Sequence, residues 1–396
     1  MRLLHLVALF LVVGFGPVAG QIPDLPTLGR NWTDLGYPKL FYTPRDGLTA
    51  GIYYAQIRPP GYRDWFDPQP YRASIAVDGQ IATSGSHKLG FYARMPNILP
   101  GWRFSLVAET RRRARQNYFG IGNQTERDGA NVTDARPDFY NADYRSMLLR
   151  GEVQRRLVSH LRVLWGIHVE RWQFDTIPGT TLLGVQTNAG LDLALGQRTT
   201  DVSARFGLVF DTRNDEIAPM HGVLLEAIFG VADSTVAGAL SYTRTTLSAS
   251  GFWSPSEQVT LAGRVLAQVV TGSPAAGSYM LVEASDKPFE GYGGRDSNRG
   301  LARLRYLGED MLFANLETRY QVVGERHVVA ASLVGFIDVG RVFLPGEDDF
   351  HLTLDGMHVG VGGGPALSFG RVAVLGTTFA VGPDGLTIHV MTDWAF

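Results

Sequence analysis

The chain contains no cysteine, which excludes a disulfide framework, thiol catalysis and a lipid-anchoring cysteine behind a leader. Charge of either sign is not in excess: 36 basic and 38 acidic side chains give a formal net charge of -2, so nothing points to a nucleic-acid partner. Beyond residue 20 no uninterrupted apolar run reaches the ~20 residues of a membrane-spanning helix. Any membrane crossing must therefore be made of strands. No serine sits in a recognisable nucleophile elbow, and we expect neither an enzyme nor a bound cofactor or metal. The 45% apolar and 11% aromatic content is nevertheless too rich for a disordered chain.

At the start, Arg2 precedes the apolar run from Leu3 to Phe15 and the small residues Val18, Ala19 and Gly20, the pattern of a signal peptide cleaved before Gln21. At the other end, Ile388, Val390, Trp394 and Phe396 alternate with Thr387, His389, Met391, Asp393 and Ala395, and only Thr392 interrupts the apolar face. A period of two with one greasy and one polar face is expected of a strand separating lipid from a wet interior. Sixteen segments of this kind can be read between Lys39 and Phe396, an even number that suits a bacterial barrel. The long connections, Gly120 to Asn141, Phe174 to Thr199, Thr271 to Tyr306 and Leu344 to Asp355, all follow odd-numbered strands. Long loops on one side and short turns on the other place both termini in the periplasm. The expected division is a signal peptide over 1–20, a short periplasmic segment over 21–36 and a barrel over 37–396.

On the segment from Arg103 to Arg115, one face carries Arg103, Arg111, Arg113 and Arg115 together with Ser105 and Glu109. A basic side chain facing mid-bilayer hydrocarbon costs about 2–4 kcal/mol, so this face is assigned to the lumen. The glycines at 360, 362, 363 and 364 lack the following helix of a phosphate-binding loop and suit a strand thinned for close packing or bending. A soluble secreted all-β protein would also alternate, but it would need neither an aromatic end nor a polar interior in strand after strand.

In the longest loop stands Gly293-Gly294-Arg295-Asp296-Ser297-Asn298-Arg299-Gly300-Leu301, followed by Ala314-Asn315-Leu316-Glu317-Thr318-Arg319-Tyr320 and Gly335-Phe336-Ile337-Asp338-Val339-Gly340-Arg341. With Tyr118-Phe119-Gly120 and Phe210-Asp211-Thr212-Arg213, these phrases resemble the BamA/TamA outer-membrane superfamily, also called the bacterial surface antigen barrel. The resemblance implies that the long external loop folds into the lumen, where the arginine of an Arg-Gly-aromatic motif pairs with acidic residues of the next two strands. By position these are Arg299 and Gly300 in the loop, with Glu317 and Asp338 on the strands; Leu301 stands where the family usually has an aromatic ring. The polar face shared by Asn315, Glu317, Arg319 and Gln321 agrees with that placement. Too few residues separate Gln21 from the first strand for a POTRA domain, so a form without those periplasmic domains is expected.

The resemblance implies insertion or translocation of proteins, or of lipids, at the bacterial outer membrane. Unfolded outer-membrane or secreted proteins would be its clients, with outer-membrane lipid around it and a separate periplasmic partner. The mechanism would use the seam between the first strand and the terminal strand that carries Ile388, Val390, Trp394 and Phe396. The alternatives are a passive pore for small solutes, suggested by the arginine-rich strand, and a structural surface barrel.

Overall fold

The structure, a computed structural model, describes residues 31–43, 45–61, 64, 67–188, 195–325, 328–369 and 373–396. The expected signal peptide, 1–20, lies outside the described residues. Strands β1 (Thr33–Thr43), β2 (Gly47–Arg58), β3 (Ala73–Ala82), β4 (His87–Leu99), β5 (Trp102–Asn117), β6 (Asn141–Val158), β7 (Leu161–Asp175) and β8 (Arg198–Asp211) form the first half. The second half comprises β9 (Gly222–Ala232), β10 (Ser241–Trp253), β11 (Val259–Ser273), β12 (Asp310–Glu325), β13 (Val329–Phe343), β14 (His358–Phe369), β15 (Ala373–Gly382) and β16 (Gly385–Met391). Each pairs with its chain neighbours in a single 16-stranded antiparallel sheet. Every expected strand segment falls on one of these sixteen.

The alternation that marks the strands also builds the wall. On β11, Leu261, Val265 and Val269 turn outward, while Thr260, Arg264 and Gln268 turn into the lumen and are buried. Among the described residues no helix is long and apolar enough to cross a membrane; the crossing is made by strands. One end of the sheet carries the long connections. In one of them a short helix, α1 (Leu182–Asn188), begins where the Thr181 hydroxyl accepts the Gly184 amide at 3.2 Å, and it buries Leu183 against Tyr144 and Trp172. The connection between β11 and β12 folds inward and crosses the lumen. Its Tyr292 and Leu301 pack with Leu266, Met311, Phe313 and Val342 of the wall.

Three expectations change. The first strand begins at Thr33 rather than after residue 36. A bulge between Arg113 and Gln116 breaks the period of two on β5, so Gln116 takes the lumen face and Arg115 does not. The last strand ends at Met391 instead of running to Phe396. Past Thr392 the chain leaves the sheet. Asp393 pairs with Arg295 at 3.0 Å and Lys287 at 3.2 Å, and the rings of Trp394 and Phe396 lie 4.2 and 4.9 Å from the guanidinium carbons of Arg319 and Arg264. Buried arginines thus draw both aromatics into the lumen, away from lipid. Ile388 and Val390 remain on the outward face, in register with Phe379 and Thr377 of β15.

Val265 sits outward at mid-strand, opposite Ala249 and Ala314, and is 52% exposed on the protein surface. Val265→Arg is expected to cost about 2–4 kcal/mol in reversible unfolding from lipid vesicles, and Thr271→Arg at the loop-side end of the same strand about 0–1 kcal/mol. Equal costs at the two positions would contradict the depth assigned to them.

Candidate functional site

The candidate site is where the lumen loop, residues 274–309, meets the wall. Arg299 is its anchor. The main-chain N–H donates to Asp338 Oδ2 at 2.9 Å, Nε donates to the same oxygen at 2.8 Å, and Nη2 donates to Oδ1 at 2.8 Å. Nη1 donates to Glu317. The paired bonds to Asp338 use the planar fork of arginine, which a lysine cannot reproduce. Side-chain exposure is 1% for Arg299, 1% for Glu317 and 0% for Asp338, so these charges are out of water and depend on one another.

The surroundings complete the pairing. Glu317 also accepts from Arg319 at 2.8 Å, and Asn315 donates to Asp338 at 2.8 Å and to the Ser297 carbonyl at 2.6 Å. The Arg299 guanidinium lies 3.5 Å from the centre of the Phe336 ring. Phe336 and Asp338, two residues apart, share the lumen face of β13, a signal the sequence reading passed over. On the far side, the Arg299 carbonyl accepts from His389 Nε2 at 2.9 Å and from the Thr387 hydroxyl at 2.5 Å, both on β16. The anchor therefore ties β12, β13 and the last strand to one loop residue.

Gly300 follows because nothing larger fits. A Cβ there would sit 2.4 Å from Gly360 Cα and 2.9 Å from the Val381 carbonyl oxygen, so the loop backbone crosses β14 and β15 in direct contact. The expected thinning at Gly360 is what admits this crossing. Leu301, fully buried, occupies the apolar cluster next to Tyr292.

All four arginines expected on one basic lumen face meet acidic partners, three of them on that face. Arg103 reaches Asp286 at 3.3 Å and pairs with Glu216 in the connection between β8 and β9. Arg111 pairs with Glu109 and Glu290, and Arg113 with Glu290 at 2.7 Å. Arg115, displaced by the bulge, instead binds Asp138 at 2.8 Å and the Arg45 carbonyl at 3.0 Å. A further cluster was not anticipated: Glu283 of the loop lies 2.8 Å from both Arg150 and Arg205, and Arg205 lies 2.9 Å from Glu152. All four are buried. Burial alone would raise Glu283, but Arg150 and Arg205 outweigh it and hold the carboxyl below the ordinary range; Arg113, Arg303 and Arg111 do the same for Glu290. Between this loop, the wall and the carboxyl-terminal residues remains a polar chamber of about 720 Å³.

Two outcomes follow. Arg299→Ala leaves Glu317 and Asp338 without their shared cation and should lower stability by about 3–5 kcal/mol, with Arg299→Lys restoring only part; urea unfolding together with protease cleavage within residues 274–309 reads both, and unchanged cleavage would refute the anchor. Because the folded values of Glu283 and Glu290 are depressed, their stabilisation is complete above the free glutamate value near ~4.3 and is lost only as pH falls through lower values. Protease access to the loop should therefore be equal at about pH 7.5 and 5.5 and rise, with pepsin as probe, only below about pH 4. A rise already between about pH 7.5 and 5.5 would contradict the pairing.

Comparison with known proteins agrees with this architecture. The Omp85 superfamily domain matches residues 73–364. BamA from Haemophilus ducreyi lacking POTRA domains 1–3 superposes with a TM-score of 0.53 at 12% identity, covering 92% of this chain and 69% of that one. CdiB from Escherichia coli gives 0.58 at 11% identity over 93% and 64%, and CdiB from Acinetobacter baumannii 0.50 at 9% over 92% and 60%. The chain thus spans less than two thirds of either CdiB. No curated protein sequence matches it. With its family domain over most of its length and a lumen loop carrying the motif read in the sequence, this chain is a bacterial outer-membrane barrel and belongs to the Omp85 superfamily.

Proposed function

We propose that the barrel assists insertion or translocation of proteins at the outer membrane, acting through strand pairing and without covalent chemistry. The observation that carries this reading is the state of the two end strands. Among the described residues no pairing joins β1 to β16, and β16 spans 7 residues against 11 for β1. Unpaired main-chain groups facing hydrocarbon are costly, and an extended incoming segment satisfies them by adding as a strand. Pro38 within β1 suits such an edge, since proline gives no donor to a ladder.

The pairing inside the lumen supports the same reading over a passive pore. Arg103, Arg111 and Arg113, which would favour anions if free, are paired with carboxylates, and the loop crosses the lumen between these arginines and the carboxylates of β12 and β13. Clients would be unfolded outer-membrane or secreted proteins delivered by a separate periplasmic partner, with residues 1–20 serving as the export signal and the barrel domain beginning at Thr33.

The test is the folding rate of an unfolded outer-membrane protein added to liposomes that contain this barrel or an unrelated barrel of similar size. Acceleration is expected only with this protein. A cysteine pair introduced across β1 and β16, with no native cysteine to compete, should abolish the acceleration when oxidised and restore it on reduction. No acceleration by the intact protein, or full acceleration with the seam oxidised, overturns the proposal.

A further inference from the structure

The outward surface carries a pattern that strand pairing does not use. Register places His87 of β4, Arg112 of β5, Arg145 of β6, Gln173 of β7 and Arg198 of β8 in one row, at the long-loop ends of these strands. Arg171 of β7 lies one outward position further into the wall, beside Met147 and Thr200. Asp143 takes up two of the four arginines, at 2.7 Å from Arg112 and 3.0 Å from Arg145. Arg171 and Arg198 are exposed and have no carboxylate partner among the described residues; Arg198 is turned by a 3.3 Å bond to Gln173 Oε1.

This basic band is local. The loop-side ends of β10 and β11 carry Ser241, Thr243, Thr271 and Ser273 instead, with the hydroxyls of Thr243 and Thr271 2.7 Å apart. Following the register from Arg145 down β6 leads to Arg155, whose guanidinium carbon lies 4.9 Å from the centre of the Trp102 ring. At ~3.3 Å per residue and a tilt of about 40°, the ten residues between the two arginines rise about 25 Å, the height of the apolar band of a barrel. The basic band therefore lies at the outer-leaflet boundary, where arginine is cheap, and Arg155 with Trp102 marks the periplasmic boundary.

Midway between the boundaries small outward side chains alternate with large ones. Ala93, Gly151 and Ala204 stand in one row with Leu106 and Ile167 between them, and the small residues floor a depression of about 620 Å³ bordered by Leu106, Ile167, Phe104, Trp165 and Phe206. Guanidiniums with no carboxylate partner among the described residues and an apolar depression beneath them lie on the same five strands.

We propose that this face binds an anionic, phosphate-bearing acylated glycolipid of the outer leaflet, with Arg171 and Arg198 holding the phosphate and an acyl chain seated over Gly151. Guanidinium forks match phosphate oxygens in pairs, and the long stem of Arg171 lies along apolar wall while its head reaches the interface. Charge complementarity selects the occupant: a zwitterionic lipid offers these two arginines no net negative charge.

The test places the purified full chain in phosphatidylcholine nanodiscs and titrates it with diphosphoryl lipid A, with its dephosphorylated counterpart or with phosphatidylglycerol, reading retained lipid by native mass spectrometry. Diphosphoryl lipid A should be retained best, and the double variant Arg171→Gln/Arg198→Gln should weaken its retention about tenfold or more. Gly151→Leu should weaken retention of lipid A with and without phosphate alike. Its Cβ would meet the Ile167 side chain at 3.8 Å, an ordinary contact, and unchanged urea resistance of the variant checks that the strand is preserved. Equal retention with and without phosphate, equal retention of phosphatidylglycerol, or undiminished retention by either variant would overturn the proposal.

Discussion

The interior of this barrel depends on a match of charge sign between one loop and the wall it touches. The first part of the loop supplies Glu283, Asp286 and Glu290, and these face arginines of β4, β5, β6 and β8. The later part supplies Arg299, and this faces the carboxylates of β12 and β13. A buried charge without its partner is far more costly than the pair is stabilising. Neither the wall nor the loop can therefore be dry without the other, and a loop shifted in register would set like against like. Sign alternation along the loop is what specifies its seat, while its apolar burial is shared by Tyr292 and Leu301 with Met280, Val282, Leu304, Tyr306 and Leu307.

Much of this was legible in the residues, because a strand between lipid and a wet lumen must alternate and sixteen such segments can be read directly. The Arg299 anchor was legible through its motif and through the shared faces of Glu317 and Asp338. The remaining partners were not. Periodicity says which face a residue takes but not what stands across the lumen, and Arg150 meets Glu283 across 133 positions and Arg94 meets Asp286 across 192. Arg115 was misplaced because a single-residue bulge reverses every later side chain on the strand and leaves no mark in composition. The carboxyl-terminal aromatics were misplaced for a different reason. Thr392 was the visible break in the pattern, yet the pull of Arg264 and Arg319 on the rings appears only once the lumen is assembled.

The last strand and the loop are also mechanically joined. Thr387 and His389 donate to the Arg299 carbonyl from β16, while the residues after Met391 rest on Arg319, which itself holds Glu317. Moving the last strand away from the sheet end would strip the anchor of two hydrogen bonds and loosen the aromatic packing around Arg319 and Arg264.

The hydrogen bond between Arg299 and His389 also bears on the order in which the chain can acquire its structure. Its two ends are 90 positions apart, and the strands that receive Gly300 in close contact, β14 and β15, emerge only late in the sequence. The loop is made after β4 to β8, on which its acidic part rests, but before β12 to β16, on which Arg299 and Gly300 are seated. Local hairpins can zip up one after another with little loop-closure entropy, but the final seating of Arg299 has to await the last strand. Anchoring of the loop is thus a terminal event in maturation, and a barrel caught before it would be nearly complete in its sheet with Arg299 not yet held by the last strand.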